Sequence, residues 1–221
     1  MLLLYAETSA SGHQALMERY LHTLPVPLQE KTLRYRRWQD AQLTLLGKIL
    51  LQEGLYRFNT QLGLDQLRFT AFNKPYFPDE APAFNLSHSG HLAVCVLASD
   101  VAYLGVDVEE IRSLELLDFD SQLTGNERRQ LQAAKDPYAA FFNYWTAKEA
   151  VIKAQGQGLS VPLQSFEIQE KSTVLDGLQF YVEAIALRPD YCCHIACERK
   201  FDPAQIKVEH LEFNRLLRHE N

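Results

Sequence analysis

The chain has no apolar run long enough to cross a membrane. Its opening stretch, Met1–Glu7, is apolar only as far as Ala6 and has no basic flank. A spanning helix needs about 20 apolar residues, and a secretory signal needs a basic end before a longer apolar centre. The expectation is a cytoplasmic protein without a membrane partner. A basic excess is missing too: 22 Lys and Arg face 28 Asp and Glu, for a net charge of −6. Nucleic-acid binders usually carry a cationic face, so no nucleic acid is expected as partner. Cysteine is sparse, and three of the four residues cluster as Cys192, Cys193 and Cys197 around His194. CCH-x-x-C is not a common zinc spacing. A β-strand with small thiols facing a core is the favoured reading, and a metal site is the alternative.

What remains is a globular composition. The 221 residues are 47% hydrophobic, 11% aromatic and 23% charged. That suffices for one large domain or two small ones. Leu2–Ala6 reads as a buried strand, Gly12–Leu24 as an amphipathic helix, and Gln29–Glu53 as one or two helices with Asp40 placed to cap the second. Leu92–Ala98 and Val101–Glu109 read as strands of a hairpin. Thr124-Gly125-Asn126-Glu127 fits a capping box, and Tyr138–Gln155 should be a long helix closed by Gly156. Phe166–Gln169, Leu178–Leu187, Tyr191–Glu198 and Ile206–Leu211 read as a meander. The expected fold class is α+β, with similar element content in residues 1–100 and 101–221.

Four short segments carry chemistry. In Gly105-Val106-Asp107-Val108-Glu109 the strand alternation sends both acids to one face. Adjacent carboxylates repel unless a cation or proton compensates, and hard cations such as Mg²⁺ choose such oxygens. A solvent-exposed edge strand is the competing explanation. In the long helix Glu149 and Lys153 share a face, which suits either a site or a surface ion pair. Asn85-Leu86-Ser87-His88-Ser89-Gly90 offers hydroxyls, an imidazole and backbone amides to an anion, or else forms an ordinary turn. Lys31, Arg34, Arg36 and Arg37 could hold phosphates or form a solvated face.

The order of these segments is more specific than any one of them. Asn73-Lys74-Pro75-Tyr76, then Asn85–Gly90, then Gly105–Glu109, then Trp145-Thr146-Ala147-Lys148-Glu149-Ala150-Val151-Ile152-Lys153 resembles the 4′-phosphopantetheinyl transferases. The length and full motif set resemble the surfactin-synthetase-activating type, over about Lys31 to Phe166. The resemblance implies two α/β subdomains related by a pseudo-two-fold, residues 1–100 on the nucleotide side and 101–221 carrying metal and catalytic acids. It implies a monomer that moves the 4′-phosphopantetheine arm of coenzyme A to a serine of an apo acyl, peptidyl or aryl carrier protein. The carrier would serve fatty-acid, polyketide or non-ribosomal peptide synthesis. It also implies roles. Asp107, Glu109 and Glu149 would hold Mg²⁺, or Mn²⁺ in its place. Glu149 would be ligand, base or both, and Lys153, with Lys148 nearby, would meet the pyrophosphate. Ser87, His88 and Lys31 are candidates for the 3′-phosphate, and Lys74 and Pro75 for the adenine nucleotide. Glu127 belongs either to the metal site or to its capping box. The basic residue such proteins commonly carry just after the Asp-Ala pair is replaced here by Gln42, Leu43 and Thr44. The alternatives are a non-catalytic coenzyme A- or carrier-binding protein and, more remotely, a nucleotide hydrolase.

Overall fold

The structure, a computed structural model, describes residues 1–78 and 81–217, with Leu159 described by its backbone alone. The strands are β1 (Leu2–Glu7), β2 (Arg68–Phe69), β3 (Pro75–Tyr76), β4 (Ala83–Ser89), β5 (Leu92–Ala98), β6 (Leu104–Glu110), β7 (Ser172–Leu175), β8 (Leu178–Ala184), β9 (Tyr191–Cys197) and β10 (Lys207–His210). The helices are α1 (His13–Tyr20), α2 (Val26–Leu33), α3 (Trp38–Arg57), α4 (Gly125–Ala133), α5 (Pro137–Gln155) and α6 (Phe213–Leu217). Among the described residues no helix is long and apolar enough to cross a membrane.

Two four-stranded sheets form the frame, ordered β10-β1-β5-β4 and β6-β9-β8-β7; β2 and β3 form a separate ribbon. Every residue of β5 is buried because both of its faces are covered. Cys95 and Leu97 join Leu46, Leu50 and Leu51 of α3 in one core. Val94 and Val96 join Val106, Val108 and Ile195 of the second sheet in another. The second sheet turns its other face to α5, where Ala150, Val151 and Ala154 pack with Phe180 and Val182. Each fully buried Leu or Val contributes about 1.5–3 kcal/mol, so the layering follows from where these side chains can be hidden.

The expected hairpin of residues 92–98 with 101–109 does not form. β5 pairs with β1 and β4, whereas β6 pairs with β9. Both edges of β5 are occupied, so the chain after Asp100 crosses to the other sheet. The meander is real for β7, β8 and β9, but it starts at Ser172; Gln169 contributes only an isolated bridge. The last strand leaves it, and β10 lies parallel to β1. Asp40 does not cap α3. The N-cap is Arg37, without a side-chain bond, and Asp40 sits in the first turn, where a carboxylate still favours the helix dipole.

Other local signals hold. Thr124 and Glu127 close a reciprocal capping box at α4. Asp136 caps α5, Pro137 occupies its first turn, and Gly156 ends it at φ 99°. The three clustered cysteines lie on β9 as a strand: Cys193 and Cys197 face the core between the sheets, while Cys192 and His194 occupy the alternate positions facing α5. All four thiols are free.

Gly105 decides how closely α5 can approach the second sheet. A Cβ there would lie 2.0 Å from the Ala150 carbonyl oxygen and 2.4 Å from the Ala154 amide nitrogen. Both are backbone atoms of a buried helix, so no side chain can swing aside. Gly105→Ala should therefore destabilise the fold by about 3 kcal/mol, measured as a lowered urea midpoint.

Candidate active site

The site sits where the two sheets meet. β4 and β6 face each other as edge strands, joined by side chains of one to the main chain of the other. Asn85 Oδ1 accepts from Val106 N–H at 2.9 Å, Ser87 Oγ from Val108 N–H at 3.4 Å, and Ser89 Oγ from Glu110 N–H at 3.3 Å. The two-residue period of both strands sets this register. Each serine keeps its own proton, and donates it to a carboxylate. Ser87 Oγ donates to Asp107 Oδ1 at 2.8 Å, and Ser89 Oγ donates to Glu109 Oε2 at 2.5 Å.

Helix α5 brings the rest. Lys153 Nζ donates to Asp107 Oδ1 at 2.6 Å and to Ser87 Oγ at 2.8 Å. Leu86, Ser87, His88, Asp107, Glu109, Trp145, Glu149 and Lys153 line one cleft of about 380 Å³. A second cavity of about 210 Å³ shares Leu86 and Lys153 with it, and adds Phe72, Asn73, Lys74, Pro75 and Gly156. The Lys74 ammonium donates to the Ala154 carbonyl at 2.7 Å, near the carbonyl end of α5. Burial pulls its pKa down to about 8, against the pull of Glu198.

The carboxylates repel one another in a desolvated place. Burial raises Glu149 to about 6, Asp107 adds to the rise, and Lys153 opposes it. Burial likewise raises Glu109, against the hydrogen bond from Ser89. His88 is pulled below the usual imidazole range by partial desolvation and by Lys153. Among the described residues, no three His, Cys, Asp or Glu side chains are arranged to hold a metal ion. The donor set nonetheless fits a hard cation. Among the described residues, Asp107 Oδ2 and Glu149 Oε1 are buried oxygens without a hydrogen-bond partner. Buried carboxylate oxygens of this kind cost free energy until a cation or proton meets them.

Most of the expected site residues thus converge, but Lys148 does not. Successive helix residues diverge by about 100°, and Lys148 points away from the face that carries Glu149 and Lys153. It is only 2% exposed; its Nζ donates to Glu127 Oε2 at 2.7 Å and to the Leu163 carbonyl at 2.8 Å. Glu127 is thereby accounted for by its capping box and by Lys148, not by the acidic cleft. Lys31 is exposed on α2. It stands near Lys48 of α3, a residue outside every motif above. Burial lowers the Lys48 pKa, and the Lys31 charge lowers it further. Its one signal in the sequence is a lone cation inside the apolar run Leu45–Leu51.

Comparison with known proteins gives the family. A family model described as the 4′-phosphopantetheinyl transferase superfamily matches residues 103–199, the stretch that carries Asp107, Glu109, Glu149 and Lys153. The 4′-phosphopantetheinyl transferase Sfp of Bacillus subtilis (strain 168) is 34% identical over 157 residues, 69% of each chain. The transferase psf-1 of Bacillus pumilus is 37% identical over 138 residues, 60% of this chain and 58% of that protein. The transferase gsp of Aneurinibacillus migulanus is 32% identical over 148 residues, 66% and 61% of the two chains. A solved holo-[acyl-carrier-protein] synthase from Thermotoga maritima aligns over 44% of this chain and 62% of its own at 17% identity, with a TM-score of 0.35. This chain belongs to the 4′-phosphopantetheinyl transferase superfamily.

The raised Glu149 pKa has a consequence for the protein without metal. A carboxyl whose folded pKa lies above its unfolded value stabilises the fold fully below the unfolded pKa. That contribution disappears as pH rises through the folded pKa. From 4.5 to about 6, Glu149 should cost the metal-free protein up to about 2 kcal/mol. In a pH series of urea melts, Glu149→Gln should remove that part of the slope.

Proposed function

We propose that this chain transfers the 4′-phosphopantetheine arm of coenzyme A to a serine of an apo carrier protein and releases adenosine 3′,5′-bisphosphate. The observation that carries this is the convergence of Asp107, Glu109, Glu149 and Lys153 on one cleft, with two buried carboxylate oxygens unpartnered, in a member of this superfamily. Asp107, Glu109 and Glu149 would hold Mg²⁺, which when bound neutralises pyrophosphate charge.

The protein's own groups do the remaining work. Glu149, with a pKa of about 6, is mostly ionised near neutrality yet basic enough to take the proton of the carrier serine, directly or through water. The serine oxygen forms a bond to the phosphorus that bears pantetheine as the anhydride bond breaks. The departing oxygen leaves with the adenosine bisphosphate. Lys153 offsets the charge that develops there. Ser87 orients both Asp107 and Lys153. Lys31 and Lys48 together supply cationic charge for the 3′-phosphate beside His88, in place of the basic residue missing after Asp40-Ala41. Lys74 and Pro75 flank the nucleotide. The two sheets, with α3 and α5 on their outer faces, are the halves that a pseudo-two-fold would relate, so that one cytoplasmic chain acts as a monomer.

The test is to incubate the protein with coenzyme A, Mg²⁺ and apo carriers from fatty-acid, polyketide and non-ribosomal peptide systems, then weigh the carriers. A gain of one phosphopantetheine is expected on at least one of them, and no gain on any would overturn the reading. Chelation should stop transfer, and Mg²⁺ or Mn²⁺ should restore it. Asp107→Ala should remove most metal-dependent activity, and Glu149→Gln should slow single-turnover transfer by about 10²–10⁴-fold.

A further inference from the structure

A cavity of about 500 Å³ opens on the opposite side of α5, between α4, β8 and the 167–171 turn. Its α5 wall is Asn143, Tyr144, Ala147 and Lys148, whereas the acidic cleft uses Trp145, Glu149 and Lys153. The two openings therefore lie on different faces of one helix. The volume is in the range of small-molecule sites, and nothing in the transfer chemistry uses it.

One largely buried imidazole lines this cavity with a ring nitrogen still open to it. His194 is 6% exposed, and it lines the cavity from β9. Its Nδ1 lies 2.7 Å from Thr146 Oγ1. Thr146 has one hydroxyl proton, which goes to the Phe142 carbonyl at 2.7 Å. The Thr146 oxygen must therefore accept, so His194 Nδ1 carries the hydrogen. Burial lowers the imidazole pKa to about 4, so the ring is neutral near pH 7. Nε2 is left as an acceptor, and among the described residues it receives no hydrogen bond. Nε2 is not among the buried atoms left without a partner, so it is the part of the ring that reaches the cavity, where it can accept from a donor.

The mouth has the opposite character. Lys148 is spent on Glu127, and Lys171 on Glu183 at 2.8 Å. Among the described residues Glu167 accepts hydrogen bonds only from neutral donors, Thr124, Gln169 and Asn126, which together with the nearby Lys148 charge hold its carboxyl below the usual range. Glu170 has no ion pair among the described residues. Between mouth and base the walls are apolar: Ala147, Ile168, Val182 and Ala184.

We propose that this cavity is a binding site for a small hydroxylated amine. Its hydroxyl donates to His194 Nε2, its apolar body lies on the alanine and valine walls, and its ammonium meets Glu167 and Glu170. Phosphates and carboxylates are excluded by the same charges. The site is independent of the transferase chemistry.

Tyramine is a suitable probe, with phenethylamine lacking the hydroxyl and tyrosol lacking the ammonium. Binding near neutral pH is followed by calorimetry and by backbone amide shifts. Tyramine should shift residues around His194 and Ala184, and each analogue should bind about 5- to 30-fold more weakly. Ala184→Trp, which fills the cavity from an exposed position of β8, should abolish tyramine binding while leaving the circular dichroism spectrum unchanged. Equal binding of all three compounds, shifts confined to other surfaces, or undiminished binding to Ala184→Trp would each overturn the proposal.

Discussion

The structure depends on a seam in which side chains do what backbone usually does. β6 is fully paired on its β9 side, but on its other edge the N–H groups of Val106, Val108 and Glu110 would be orphaned inside the protein. Asn85, Ser87 and Ser89 accept from all three. A direct backbone ladder would draw the strands to about 4.8 Å and merge the sheets into one. The longer reach of a side-chain link keeps two sheets and leaves a cleft between them. It also allows each serine to act twice, as acceptor for the neighbouring strand and as donor to an acidic residue. The fold and the site therefore share the same hydrogen bonds.

The helix over the seam is bound to it by contacts of different physical kinds. Gly105 admits the α5 backbone to near contact, Lys153 pairs with Asp107 on the face of the acidic cleft, and Lys148 pairs with Glu127 on the other face. The two lysines are chemically alike and five residues apart, yet their surroundings divide their work. The Lys148 side chain is 2% exposed and its pair is fixed within the core; the Lys153 side chain is 28% exposed and opens on the cleft. A charge that can meet a ligand must remain partly hydrated, while a buried pair mainly avoids the penalty of losing its partner.

Much of this was legible because it is local. Alternation placed Asp107 and Glu109 on one face, the four-residue spacing joined Glu149 to Lys153, and the Thr124 box and Gly156 marked helix ends. The segment Asn85–Gly90 stood out as polar, but its polarity is spent largely on the neighbouring strand, which no periodicity could show. Partner choice among strands was illegible for the same reason. The alternating or apolar pattern of β5 and β6 is equally consistent with a hairpin and with two separate sheets. Lys148 was drawn toward the site by its place in the motif, and only the angle around α5 turns it away. Lys48 lay unmarked because a single cation in an apolar helix carries no motif.

The parallel pairing of β10 with β1 has a consequence for how the chain acquires its shape. Lys207 donates its N–H to the Met1 carbonyl, and further along Tyr20 and Arg19 hold the carbonyls of Leu216 and Leu217. Strand β1 thus waits for β10, the last of the described strands, before its outer edge is covered. Until then its outer side presents open N–H and C=O groups to any passing strand. Such pairing is long-range in sequence, which slows folding and lengthens the time that apolar edges are exposed. For this fold the vulnerable period is the one before β1 and β10 have met.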